Sequence, residues 1–409
     1  MTLPDRPGDN PRLALSIVTG AFATMLLAAN LAAPLYAGYS KRFGFSPAVL
    51  ALVFAVYALV LMPSLVLFGQ VSDRFGRRRV IAAGLGAAIV ALVLFSAADS
   101  VVWLFAARAT QGLAQGMMGG AATAALAELA GRHDARRAAL RATLAQSGGS
   151  AAGPFVAGML AQWAPVPYVL PFVVGMLLCG SVAIALRAVP ETASAQASGD
   201  AWRVRRPSVP REIRGDFVRV ALTAAAVWAV AGGLFLSVIP SYAAGLLHTQ
   251  NLAVLGAIAA LMLAASCAAQ LVVRRGAPAV PAQAGGLVLL ALGLLPLVLA
   301  SPPHAAGLLL AGAVLAGAGH GLAFLAAQDN LTQITPPEQR AAVSASFYVC
   351  IYLGVAVPVI GIGILAATVS LFTGIAVFSA VTGTAALVLA AWHLSQRGDR
   401  APGAQVTGA

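Results

Sequence analysis

Long apolar runs separated by short polar or glycine-rich links fill the chain from Leu13 to Trp392. A helix crossing the ~30 Å hydrocarbon core of a bilayer needs about twenty apolar residues. That length places twelve spanning helices, at roughly 13 to 37, 47 to 69, 80 to 98, 101 to 130, 138 to 163, 166 to 186, 217 to 242, 251 to 273, 279 to 300, 305 to 331, 341 to 366 and 369 to 392. An even number puts both termini, 1–12 and 393–409, on one side. Met1 to Arg12 is polar, and the run after it is too long for a signal-peptide core and lacks a small-residue cleavage site, so it reads as a retained first helix.

Composition strengthens this picture. Of 409 residues, 60% are hydrophobic and 9% charged, where a soluble domain is about 25% charged. The net charge of +12 sits in short links rather than on a contiguous face, which excludes nucleic-acid binding. Lys41 is the single lysine, so the arginine excess reads as coding bias. Cys179, Cys267 and Cys350 all lie inside apolar runs and read as packing residues, not a disulfide framework. Of the 25 basic residues, Lys41 and Arg42 fall in external links and Arg108 within a span, leaving 22 on the side of the termini. The positive-inside bias makes that side the cytoplasm of a cell inner (plasma) membrane protein.

Residues 187–216 are rich in Ala, Ser and Gln and then in arginine, the composition of a flexible cytoplasmic linker. It divides the chain into halves at 13–186 and 217–392. The halves echo each other: Gly69-Gln70-Val71, Arg74, Gly76 and Val80 align at a constant offset of 200 with Ala269-Gln270-Leu271, Arg274, Gly276 and Val280. Gly120 to Glu128 with Arg136 and Arg137 likewise resembles Gly321 to Asp329 with Glu338 and Arg340.

The link between the second and third spans reads Gly69-Gln-Val-Ser-Asp73-Arg74-Phe-Gly76-Arg77-Arg78. Gly76 can supply the positive φ of a sharp turn, and Asp73 is one carboxylate among several guanidinium groups. Every fixed position matches the G-x-x-x-D-R-x-G-R-R signature of the major facilitator superfamily of transporters, which this chain resembles over nearly its whole length. The resemblance implies an all-α membrane fold of two pseudo-symmetric six-helix bundles, usually monomeric, with no cofactor. By analogy Glu128 pairs with Arg74 or Arg77, and Asp73 caps the helix starting near Ala341 to Ser344. Those contacts would lock the halves on the cytoplasmic side. A surface ion pair of under about 1 kcal/mol is the plain alternative.

Arg108, Gln111, Gly112, Gln115 and Gly116 in the fourth span are similar to the superfamily's R-x-x-Q-G pattern. An arginine inside a membrane costs several kcal/mol unless paired or facing water. The resemblance implies a role in proton coupling or in holding an anionic substrate group; snorkelling to the interface is the alternative. Gly149, Gly153, Pro154 and Gly158 in the fifth span are close to the hinge pattern of the drug:H+ antiporter branch, with Ala157 departing from it. Small-residue helix packing explains the same residues.

No Asp or Glu falls at mid-membrane, and Asn30 is the deep polar group of the first span. His320, in the middle of the tenth, is the best-placed group to titrate near neutral pH, or else a neutral hydrogen-bonded histidine. Trp228, Tyr348 and Tyr352 either line a substrate cavity together with Asn30, Gln111 and Gln115 or simply pack.

Other classes find little support. No Gly-Lys-Ser/Thr phosphate loop exists, because Lys41 follows Ser40, and neither H-E-x-x-H nor G-x-S-x-G occurs. A sensor would add a soluble output domain. The expectation is therefore a secondary transporter working by alternating access, exporting a small amphipathic molecule or drug against protons. Uptake or uncoupled export of a neutral or anionic metabolite is the alternative.

Overall fold

The computed structural model describes residues 11–131, 135–192, 208–273, 279–300, 304–336 and 339–398. Most of both expected tails, the linker at 193–207, Arg274, Gly276 and Glu338 lie outside the described residues, as do the side chains of Arg136, Arg137 and Ala341. The chain runs through α1 (Pro11–Asn30), α2 (Tyr36–Phe43), α3 (Pro47–Phe75), α4 (Arg77–Ser96), α5 (Val101–Ala130), α6 (Ala135–Trp163) and α7 (Leu170–Ala185). After the linker come α8 (Arg214–Trp228), α9 (Ile239–Leu246), α10 (Leu252–Val273), α11 (Ala279–Leu299), α12 (Ala305–Ile334), α13 (Arg340–Thr368) and α14 (Leu371–Gly398).

Among the described residues, 10 helical segments are long and apolar enough to cross a membrane. The expected fourth and fifth spans, α5 and α6, are 30 and 29 residues long. Their polar side chains, Arg108, Gln111 and Gln115 in one and Arg141, Gln146 and Ser147 in the other, dilute their apolar content. Local signals set the helix ends. Ser46 Oγ accepts the Val49 N–H at the start of α3, Gly44 closes α2 at φ 67°, and Asn251 Oδ1 accepts the N–H groups of Ala253 and Val254 at the start of α10.

Two spans are interrupted. The first turns at Leu31 and Ala32 and resumes through a 3₁₀ turn, Ala33–Leu35, into α2, reaching Phe43 rather than ending near 37. The seventh passes from α8 into a π-helical segment, Ala229–Phe235, before α9. Pro34 and Pro240 stand where each helix resumes, positions at which a missing N–H costs least.

Buried apolar side chains form two clusters. One is drawn from Ala14 to Val189; the other runs from Phe217 to Ala390 and takes in Leu61, Leu65 and Ala151 from the first half. Large apolar side chains such as Val102, Leu177, Val272, Val357 and Val381 are exposed, whereas Arg108, Gln111, Gln270 and His320 are buried. That inversion suits a hydrocarbon surround, where apolar surface carries no penalty and polar groups must find partners inside.

The halves meet along α6 against α10 and α3 against α13. Gly158 and Gly256 bring α6 and α10 so close that a Cβ on either would enter the other's backbone, as small residues permit where lipid supplies no hydrophobic drive. Hydrogen bonds cross this seam, among them Leu252 N–H to Gln162 Oε1 at 2.8 Å and Gln270 Nε2 to Ser147 Oγ at 3.1 Å.

Candidate functional site

At one end of the bundle, Gly76 alone joins α3 to α4. Its φ of 105° is a conformation that L side chains rarely adopt, and the Glu191 carboxylate fills the place a Cβ would take. By contrast, a side chain on Gly69 would meet nothing. Arg77 is the hub of the cluster and is 13% exposed. It pairs with Asp73 four residues back, donates to Ser72 Oγ at 2.6 Å, and bridges to Glu128 Oε1 at 3.1 Å. The expected pairing of Glu128 with Arg74 or Arg77 thus falls to Arg77, while Arg74 lies exposed over the Phe75 ring. The Asp73 carboxylate pairs with Arg77.

Residues that composition assigned to the linker complete this cluster. Thr192 Oγ1 donates to Glu128 Oε2 at 2.6 Å, Glu191 Oε1 accepts the Arg78 N–H at 3.3 Å, and Arg78 Nη1 donates to the Val189 carbonyl at 3.1 Å.

Deep in the first half, Arg108 is 5% exposed. Its guanidinium carbon lies 4.5 Å from the ring centre of Phe54 and 5.3 Å from those of Tyr36 and Tyr57. Nη1 donates to the Ala29 carbonyl at 3.3 Å and to Gln111 Oε1 at 3.0 Å, and Gln111 donates to the Ala28 carbonyl at 3.3 Å. Ala28 and Ala29 are in the last turn of α1, whose carbonyls lose their helical partners at the break. Arg108 and Gln111 therefore cap an interrupted helix, where the negative end of its dipole favours a cation. No carboxylate pairs with Arg108 among the described residues, and its Nε has no partner. Asn30, the expected deep polar group, spends its amide on its own helix, donating to the Leu26 carbonyl at 2.8 Å.

From this cage an aromatic line leads across the seam. Tyr57 stands edge-on to Tyr352 of α13, ring centres 6.3 Å apart. Gly354, half a turn beyond Tyr352, packs against the backbone of Ala225 on α8, one turn from Trp228. Trp228 meets His320 edge to face at 5.1 Å, and Phe324 stands 5.5 Å from Trp228. Tyr348 is buried beside Phe347. His320 Nδ1 lies 2.8 Å from Ser266 Oγ, which accepts from Gln270 Nε2 at 3.2 Å.

The expected hinge residues are close-approach points. Gly149 and Gly153 face Ala23, Leu27 and Asn30 of α1, while the Pro154 carbonyl and Gly158 face Gly256 of α10. The sequence reading overlooked Tyr36, Phe54, Tyr57, Ser266, Gln270, Glu191 and Thr192. One signal was available: Pro34-Leu-Tyr36-Ala37 recurs as Pro240-Ser-Tyr242-Ala243 at a constant offset of 206, marking both helix breaks.

Comparison with known proteins fits this architecture. A family model described as Major Facilitator Superfamily matches residues 17–357. A search of curated proteins by sequence finds no match. Among solved structures, the crystal structure of the human organic anion transporter MFSD10 (TETRAN) is similar with a TM-score of 0.70 and 17% identity, covering 94% of this chain and 100% of that one. At such identity the likeness speaks for the fold. The chain belongs to the major facilitator superfamily of transporters.

Proposed function

We propose that this protein is a secondary transporter that exports a small amphipathic organic anion by alternating access, with Arg108 receiving the anionic group. In this reading α5 and α6 also span, giving twelve helices with both termini in the cytoplasm of the inner membrane. The halves rock about the α6/α10 and α3/α13 seams as a monomer. The signature cluster around Arg77 acts as the cytoplasmic lock.

The observation that carries the proposal is a buried guanidinium with no carboxylate partner among the described residues. Burial of a charge at this depth costs several kcal/mol. The cut helix end returns up to about 2 kcal/mol, and the three rings supply cation–π attraction. Net positive charge remains and the rings keep the site apolar, a combination that suits a carboxylate attached to an apolar body. Export also has a ready driving force, since a negative interior expels an anion with ~2.3 kcal/mol per charge per 100 mV. MFSD10 is described as an organic anion transporter, which agrees with this reading without carrying it.

A second reading, proton-coupled drug efflux, is favoured by His320, a titratable group in the middle of α12. Everted vesicles supplied with aryl carboxylates, their neutral amides and cationic dyes separate the two. Accumulation of carboxylates driven by the potential alone supports anion export. Accumulation of dyes abolished by a protonophore supports the antiporter and removes Arg108 as the substrate's anchor.

A further inference from the structure

We infer that the second half carries a separate recognition point for an uncharged carbonyl oxygen of the substrate, made by the N–H groups of Trp228 and His320. It rests on the organic-anion reading and divides the substrate into a carboxylate end at Arg108 and a carbonyl end here.

Trp228 is 7% exposed and His320 fully buried. Trp228 Nε1 and His320 Nε2 have no hydrogen-bond partner among the described residues, though the rings stand only 5.1 Å apart. The neighbouring bonds accommodate a hydrogen on His320 Nε2. Gln270 Nε2 donates to both Ser147 Oγ and Ser266 Oγ. With Ser266 giving its own hydroxyl hydrogen to His320 Nδ1, the tautomer this proposal adopts, the imidazole holds its hydrogen on Nε2. In that tautomer two buried N–H donors lie side by side without an acceptor among the described residues, a state costing ~1–3 kcal/mol per group.

The backbone gives a second, independent indication. Directly after Trp228 the helix becomes π-helical for 7 residues, Ala229–Phe235. Such wide turns are uncommon and concentrate at functional sites. With no cation beside them, the two donors suit a ketone or amide oxygen better than a second carboxylate, whose desolvation they would not offset. The Tyr57–Tyr352 pair runs from the Arg108 cage into the second half, and the proposal places one elongated aromatic substrate along that line. A ligand held by both halves also reports whether they are apposed.

The test uses purified full-length protein in lipid nanodiscs and two probe pairs, para- and meta-benzoylbenzoate with their benzyl counterparts, which differ only in ketone against methylene. Titration calorimetry of wild type is expected to show the ketone of one pair binding ~10-fold or more tighter, because a site built to hydrogen-bond discriminates against the analogue lacking the group. Trp228→Phe is expected to bring the ketone-to-methylene ratio toward one, and His320→Gln, which keeps an N–H donor, to retain part of it. The ratio is insensitive to the fraction of active protein. A ratio of one in wild type, or an unchanged ratio in both variants, overturns the inference. If the methylene carboxylate still binds and its amide does not, the Arg108 reading survives that result. If neither carboxylate binds better than its amide, both fall.

Discussion

Replacing Arg108 with glutamine removes the charge while keeping a polar side chain near the Ala29 carbonyl and Gln111. The magnitude follows from the surroundings of the guanidinium. Opposite charges ~4 Å apart attract by ~4 kcal/mol at an effective dielectric constant near 20. Desolvation of the incoming carboxylate and the share of the guanidinium held by the α1 carbonyls reduce this to ~2–3 kcal/mol, or ~30- to 150-fold in affinity. Arg108→Lys keeps the charge but loses the planar fork that reaches Ala29 O and Gln111 Oε1 together while lying over three rings. The expected cost of this variant is ~1.4 kcal/mol, about 10-fold below wild type. Direct binding in nanodiscs, measured with a carboxylate substrate and its primary amide, checks the order wild type, lysine, glutamine for the carboxylate and a change below ~3-fold for the amide. Equal losses for both ligands would refute the argument, because they would mean that Arg108 acts only by capping the broken first helix.

Three further perturbations probe the frame around the site. Gly76→Ala places a side chain at φ 105° against Glu191, costing ~1–3 kcal/mol of stability. A thermal-shift assay is expected to show a smaller loss when the change is made in a Glu191→Ala background, and an equal loss would remove the carboxylate from the explanation. Asp73→Asn and Glu128→Gln each remove one partner of Arg77. With those side chains 47% and 34% exposed, the effect is held below ~1 kcal/mol and within about 5-fold on the inward/outward balance. Spin-label distances across the cytoplasmic ends are expected to lengthen, and no change would sink the lock. Gly158→Val drives methyl groups into the backbone of α10 and is expected to cost ~1–3 kcal/mol; an unaltered melting temperature would show that the seam yields.

What the sequence revealed and what it hid divide along physical lines. Apolar runs report burial in lipid whatever surrounds them, so the 10 apolar helices among the described residues and the Gly76 turn were readable from local chemistry. The breaks in the first and seventh spans were not, because hydropathy counts apolar atoms and does not register what Pro34 and Pro240 do to the helical ladder. Arg108 was recognisable as costly, but its cage comes from α2 and α3, far away in sequence. Glu191 and Thr192 looked like linker because composition averages over a segment, and two side chains folding back onto Glu128 and Gly76 do not alter the average. Asn30 shows another side of this, a polar residue deep in the chain whose amide donates to the Leu26 carbonyl of its own helix, a local bond that residue type alone does not reveal.

Proteoliposomes with the membrane potential and the pH gradient set independently test the central claim most directly. An uncoupled anion carrier moves net charge, so an imposed potential of 100 mV with no pH gradient should build a carboxylate gradient approaching ~50-fold. Reversing the potential should reverse the flux, and a pH gradient at zero potential should leave it unchanged. Flux that follows the pH gradient and ignores the potential would contradict the account and assign the driving force to protons.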